Sequence, residues 1–296
     1  MVARASESNM SAGRTAGFDA APLLFIPAAL VVVALFLYPF GYGLVLSLTP
    51  AKGDVLANYE RFFGDQRLWQ TISTTLWIAL PATLINVGAS IPIAFVMRHP
   101  AWYQRALTTL LVVPVTLGTV LVAEGLLTYL GPQGWFNRLL LDLHLIATPV
   151  RLTHNYSGVL LSLVITGFPF AFLLILSYLT GIDPSLARAA ATLGARPGSQ
   201  FRHIYLPLLA PGLAITFCLA FVQAFSVFPS AVLLGAPAGP TRVISIAAYQ
   251  AAFEDYDYSM ASAIAMIMGG VQLIIVAAVL SARGFFYRGP ASGGKA

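Results

Sequence analysis

The chain has 296 residues, of which 58% are hydrophobic and 9% charged, with a mean hydropathy of +0.81 and a formal net charge of +5. Soluble domains carry about 25% charged residues, so this composition excludes an ordinary soluble enzyme and points to an integral membrane protein. One cysteine, Cys218, excludes an internal disulfide and a cysteine-based metal site, and no basic cluster with interleaved aromatics points to nucleic acid.

The first twenty residues, rich in Ala, Ser and Gly, read as a disordered tail. Six spanning helices are predicted over 22–48, 69–97, 105–130, 156–181, 208–235 and 259–283. Each approaches or exceeds the roughly 20 apolar residues that a spanning helix needs, and all are too long for barrel strands. The first apolar run is longer than the 7–15 residues usual in a signal peptide, so it is read as an uncleaved span. The fold class is therefore all-α, a six-helix membrane domain over 21–284 followed by a second tail over 285–296. Prolines 81, 92, 114, 169, 211 and 229 interrupt the spans, as membrane bundles tolerate. Trp69, Trp77, Trp102 and Trp135 fall near span ends, where amphipathic rings anchor. Loops at 49–68, 131–155 and 236–258 are too short for independent domains.

Basic residues set the orientation. With the N-terminus inside, the cytoplasmic side holds Arg4, Arg14, Arg98, Arg105, Arg188, Arg196, Arg202, Arg283, Arg288 and Lys295. The outside holds the smaller set Lys52, Arg61, Arg67, Arg138, Arg151 and Arg242. Both termini and the 182–207 segment are thus expected in the cytoplasm.

That segment, DPSLARAAATLGARPGSQFRHIYLP from Asp183 to Pro207, is a polar interval between two apolar blocks. Asp183 can cap a helix whose first position is Pro184. Leu186, Ala190 and Leu193 share a face, Gly194 can take the left-handed position that ends the helix, and Pro197 can open a second short helix. A helix–turn–helix held between two spans suits a docking element. The competing reading is an amphipathic helix lying on the membrane.

The same segment resembles the "EAA loop" of permease subunits of bacterial ABC importers. The pattern is E-A-A, three residues, Gly, nine residues, I-x-L-P. Here Ala189 and Ala190 are followed by Gly194, then Ile204, Leu206 and Pro207 at the matching spacing. Arg188 stands where the family has Glu, which reverses the charge at a position that resembles a salt-bridge contact to the ATPase. The runs Asn58-Tyr59-x-Arg61-Phe62-Phe63-x-Asp65 and Ala252-Phe253-Glu254-x-x-Asp257-Tyr258 are similar to the same group. The chain looks most like the spermidine/putrescine class, with maltose and glycerol-phosphate permeases more distant.

The resemblance implies a permease of the bacterial inner membrane working by alternating access on a polyamine or other small amine-bearing solute. It implies a second permease chain, making a heterodimer, with two cytoplasmic ATPase subunits and an external solute-binding protein. No cofactor is expected on this chain, because ATP and Mg belong to the partner subunits. The ATPase-coupling residues implied are Asp183, Pro184, Leu186, Arg188, Ala189, Ala190, Leu193, Gly194, Ile204, Leu206 and Pro207. Small residues let a partner's backbone approach, and each apolar side chain fully buried on docking is worth about 1.5–3 kcal/mol.

Glu124 is the one acidic residue well inside a predicted span. Insertion of an ionisable group costs about 2.5–3.5 kcal/mol, so it reads either as a contact for a cation in the passage or as an acid hydrogen-bonded to a neighbouring helix or near the outer edge. Phe168, Phe170, Phe172, Phe225 and Phe228 read as a gate or as packing. Asn86, Gln223 and Gln272 can bond across helices. The expected passage residues are Glu124, Phe168, Phe172, Gln223 and Phe225. His99, His144, His154 and His203 fall on different sides of the membrane and form no common metal site, and no catalytic triad or phosphate loop is readable. A self-sufficient secondary transporter is the alternative; it would carry several intramembrane charges and inverted repeats. An intramembrane enzyme would need paired catalytic groups at membrane depth.

Overall fold

The computed structural model describes Pro27, residues 29–98 and residues 102–286, without the side chains of Tyr103 and of 283–286. The tail expected at 1–20, most of that at 285–296, and His99 lie outside the described residues. The regular elements among the described residues are all helices, with no strand among them. They divide into two compact units, one up to Val45 and one from Leu46 onward.

The first unit holds most of α1 (Ala29–Ser47), an apolar helix long enough to cross a bilayer. Its turn at Val33–Leu37 is widened to a π-helical register. In the second unit, Ser47 is tied to α2 (Ala57–Gly64): Asn58 Nδ2 donates to the Ser47 carbonyl at 3.1 Å, and the Ser47 and Tyr59 hydroxyls meet at 2.8 Å.

α3 (Gln66–Val96) starts under an Asp65 cap, whose Oδ1 accepts the Arg67 N–H at 2.8 Å. Its 31 residues make it about 46 Å long. α7 (Tyr156–Thr180) and α9 (Pro197–Phe225) pack against it. Two apolar cores result. Ile78, Ala82, Val159, Phe221, Phe225, Ile244 and Ile264 close the first, toward the start of α3. Ala94, Phe172, Ile175, Leu179, Tyr205 and Leu209 close the second, toward its end. Small residues allow the close approaches. A Cβ on Gly212 would meet the Tyr178 ring at 2.6 Å, so α9 comes this close to the α7 ring because position 212 has no side chain.

Two predicted spans differ from the structure. The third, expected over 105–130, is two helices, α4 (Trp102–Leu117) and α5 (Thr119–Leu130). Gly118 separates them with φ 78 and ψ 159, a backbone region open essentially to glycine. The helical direction turns by 102° at this break. The fifth, expected over 208–235, ends at Phe225 and begins at Pro197. The second short helix expected at Pro197 is thus the entrance of α9. The two are continuous through a π-helical turn at Phe201–Tyr205, closed by the Leu206 N–H on the Phe201 carbonyl. This wide turn lies immediately before Pro207, whose ring would crowd a regular helix at the carbonyl four residues back.

The connecting loops carry short helices. α6 (Trp135–Asp142) follows α5; α8 (Pro184–Thr192) lies between α7 and α9; α10 (Pro229–Leu233) and α11 (Ile244–Tyr249) precede α12 (Tyr258–Phe286). Ser162 Oγ meets Ser230 Oγ at 2.8 Å, and the Ile244 N–H donates to Thr75 Oγ1 at 2.9 Å, so the 226–244 connection folds back onto α7 and α3. Gln272 bonds across helices as expected, from Nε2 to Ser226 Oγ at 2.8 Å.

Candidate functional site

Asp183 caps α8 as its sequence predicts, Oδ1 accepting the Ser185 N–H at 2.8 Å. That hydrogen bond, with a weaker contribution from Arg188, holds its carboxyl below the usual carboxylate value. Pro184 sits at the start of the helix. At the other end, Gly194 takes φ +83. Its N–H donates to the Ala191 carbonyl and that of Ala195 to the Ala190 carbonyl, both at 3.0 Å, which is the paired Schellman closure. Gln200 Nε2 donates to the Ala195 carbonyl at 2.9 Å and fixes the return.

No residue of α8 is buried. Leu186 is 45% exposed and Leu193 89%. Ala189 and Arg188 are also exposed, whereas Ala187 and Ala190 are half-buried. Among the described residues no carboxylate forms an ion pair with Arg188. The remaining motif residues behave differently. Ile204 and Leu206 are half-buried, Tyr205 is buried, and Pro207 is exposed at the entrance of α9. The segment is thus an exposed apolar-tipped tip, Asp183–Gly194, joined to a stem embedded in the second core.

The stem is gripped by a group that sequence reasoning counted only as a charge. Arg98, just beyond α3, places its guanidinium 3.9 Å from the Phe95 ring centroid and 5.1 Å from that of Tyr205. Phe95 meets the Phe201 and Tyr205 rings edge-on at 4.7 and 5.2 Å. One Arg98 Nη donates to the Phe95 carbonyl. The π-helical turn is therefore clamped to the end of α3 by a cation between aromatic faces.

The helix break at Gly118 opens a cavity of about 70 Å³ against α7 and α9, lined by Pro114, Val115, Gly118, Thr119, Thr166, Phe170 and Gln223. Of the residues expected along the passage, Gln223 lines this cavity. Glu124, on α5, is exposed, and its carboxylate has no ion-pair partner among the described residues. Phe172 and Phe225 are wholly buried in the second and first cores. Phe168 stacks on Phe172 at 5.9 Å. In this conformation those three are packing, and Phe170 is the aromatic that reaches the cavity.

Residues 86–285 match the family described as the binding-protein-dependent transport system inner membrane component. The chain belongs to this family. The permease is 30% identical over 217 residues to the spermidine/putrescine transport system permease protein PotB of Haemophilus influenzae, covering 72% of each chain. It is 30% identical over 216 residues to the probable sulfate transport system permease protein cysT of Prototheca wickerhamii, covering 72% of this chain and 82% of that one. Its fold is similar to a chain of a bacterial ABC transporter that imports the acidic polysaccharide alginate, with a TM-score of 0.76 and 22% identity over 89% of this chain and 94% of the other. The protein is thus a multi-pass permease subunit of a binding-protein-dependent ABC importer. This membership displaces the self-sufficient secondary transporter.

Proposed function

We propose that this permease takes up a polyamine or another small amine-bearing solute by alternating access. The work comes from two cytoplasmic ATPase subunits, which hold ATP and Mg, and one of them docks on the Asp183–Gly194 tip. A second, different permease chain completes the passage, and an external solute-binding protein delivers the solute. Both termini lie in the cytoplasm. The observation that carries the coupling role is the exposure of Leu186 and Leu193 on a rigidly capped helix whose stem is anchored through the buried Tyr205. Apolar side chains held out on a short ordered lever favour insertion in a partner's groove. Closure of the ATPase pair can shift the equilibrium only by contacting this lever differently in the two states.

The solute class rests on Glu124 and on the relatives named for spermidine/putrescine. An exposed carboxylate on a predicted span, on the helix that begins at the Gly118 cavity, suits a cationic group. The test is uptake into proteoliposomes containing the complete complex, with ATP inside and the solute-binding protein outside. Labelled spermidine, putrescine, sulfate and trehalose are offered separately. The reading requires ATP-dependent accumulation of an amine; accumulation of sulfate or trehalose with amines excluded would reject it.

A further inference from the structure

A cleft of about 610 Å³ lies where the first turns of α3 face the loop before α11, lined by Arg67, Gln70, Thr71, Gly239, Arg242 and Gln250 among others. Both of its charged side chains are cationic. Among the described residues neither arginine forms an ion pair, whereas Arg61, close by in sequence, is matched by Asp257 at 3.2 Å. Asp65, the nearest acid in sequence to Arg67, spends Oδ1 on the Arg67 backbone N–H. Arg242 is half-buried and oriented: its Nε donates to Gln250 Oε1 at 2.9 Å, leaving the two Nη groups for a bidentate partner.

The wall is also fixed. Thr241 Oγ1 accepts the Ala236 N–H, the Gly239 N–H donates to the Ala236 carbonyl at 2.9 Å, and the Ile244 N–H donates to Thr75 Oγ1. An oriented Arg242 in a preformed cleft loses little entropy when it takes an anion, and Arg67 beside it adds a second positive charge. The volume far exceeds a single inorganic ion, since one water takes about 30 Å³. The cleft lies at the Gln66 end of α3, and the lever's stem is clamped at the Val96 end, about 46 Å away along the helix. A cytoplasmic lever therefore puts the cleft outside.

We propose that this cleft is a socket for a carboxylate side chain of the external solute-binding protein. It rests on the importer reading and adds to it the point of engagement and its charge. Arg67 and Arg242 attract the acidic side chain, Gln250 aims the Arg242 fork, and Gln70 and Thr74 can donate at the rim.

The complete transporter in nanodiscs is titrated with the solute-binding protein that stimulates the wild-type ATPase, at low and at physiological salt. The double variant Arg67→Glu, Arg242→Glu should bind it about tenfold or more weakly, with flattened salt dependence and unchanged basal ATPase. Affinity within about twofold of wild type in the assembled variant would overturn the socket. If the double variant does not assemble, the exposed-site variant Arg67→Ala decides by the same direction of change. A parallel titration with sodium sulfate separates a free anion: sulfate binding lost in the variant with receptor affinity retained also overturns the proposal. A wild-type complex stimulated by no solute-binding protein would overturn the importer reading itself, a result distinct from equal stimulation of wild type and variant.

Discussion

Asn86 Nδ2 donates to the backbone carbonyl of Leu163 at 3.1 Å, joining α3 to α7 at the level where the two cores meet. The bond exists because Gly167, one turn along α7, leaves room for the amide; a Cβ there would collide with Asn86 Nδ2. Gly167→Ala should cost about 1–3 kcal/mol by overpacking and lower the apparent melting temperature of the detergent-purified permease. Thermal unfolding followed by intrinsic fluorescence checks this. An unchanged transition would mean that the helices separate at this crossing without penalty.

A Cβ built on Gly194 would meet nothing within 4 Å beyond the adjoining residues. Any effect of substitution is therefore one of backbone conformation, about 1–2 kcal/mol for an ordinary residue at positive φ. Gly194→Asn should retain most uptake, because Asn tolerates this region, whereas Gly194→Val should lose uptake and ATPase stimulation while inserting normally. Equal behaviour of the two variants would separate the lever from the Schellman closure.

The six apolar stretches and the Asp183 cap were readable because length, hydropathy and capping are local. The break at Gly118 was not, since glycine inside an apolar run is ordinary and only its φ of 78 reveals a corner. Pro197 was a sound helix start, but the π-helical turn ahead of Pro207 packs on the ring of Phe95, a residue about a hundred positions away, a contact no local pattern shows. For the same reason Arg98 looked like one more cytoplasmic cation. Its role emerges when α3 and α9 pack. Phe172 and Phe225 show the converse limit, because a mid-span aromatic has the same appearance whether it faces a passage or a core.

Removing the clamp should loosen transmission without dissolving the fold. A cation–π contact is worth about 0.5–2 kcal/mol, so Arg98→Ala should retain insertion and basal ATPase but reduce uptake per ATP hydrolysed. Arg98→Lys should restore part of the ratio. The check is simultaneous measurement of uptake and phosphate release; a normal ratio in Arg98→Ala would show that the stem moves independently of α3.

Asp183 sets a pH signature for the tip. Its folded pKa lies below the ordinary carboxylate value because the Ser185 N–H stabilises the charged form. Its contribution is therefore fully present above the unfolded value and is lost as pH falls through the depressed folded one. Hydrogen exchange at the Ser185 amide, corrected for intrinsic rate, should show constant protection above about pH 5 and a decline only at strongly acidic pH. Asp183→Asn should remove the acid-dependent decline. A loss of protection near neutral pH that follows Asp183 would contradict this sign.

Glu124→Gln keeps shape and removes charge. With a cationic solute, the lost attraction is about 1 kcal/mol, or roughly a fivefold rise in the half-saturating concentration. Concentration-dependent uptake in proteoliposomes reads this. An unchanged value for an amine would take Glu124 out of the passage.

The central claim is that Asp183–Gly194 is the part of the permease that an ATPase subunit grips. A photoreactive phenylalanine at position 193, where Leu193 is 89% exposed, tests it in the active complex. The account predicts an adduct with an ATPase subunit whose yield changes when ATP is trapped. An active complex in which this probe reaches only lipid or solvent, in every nucleotide state, would contradict it.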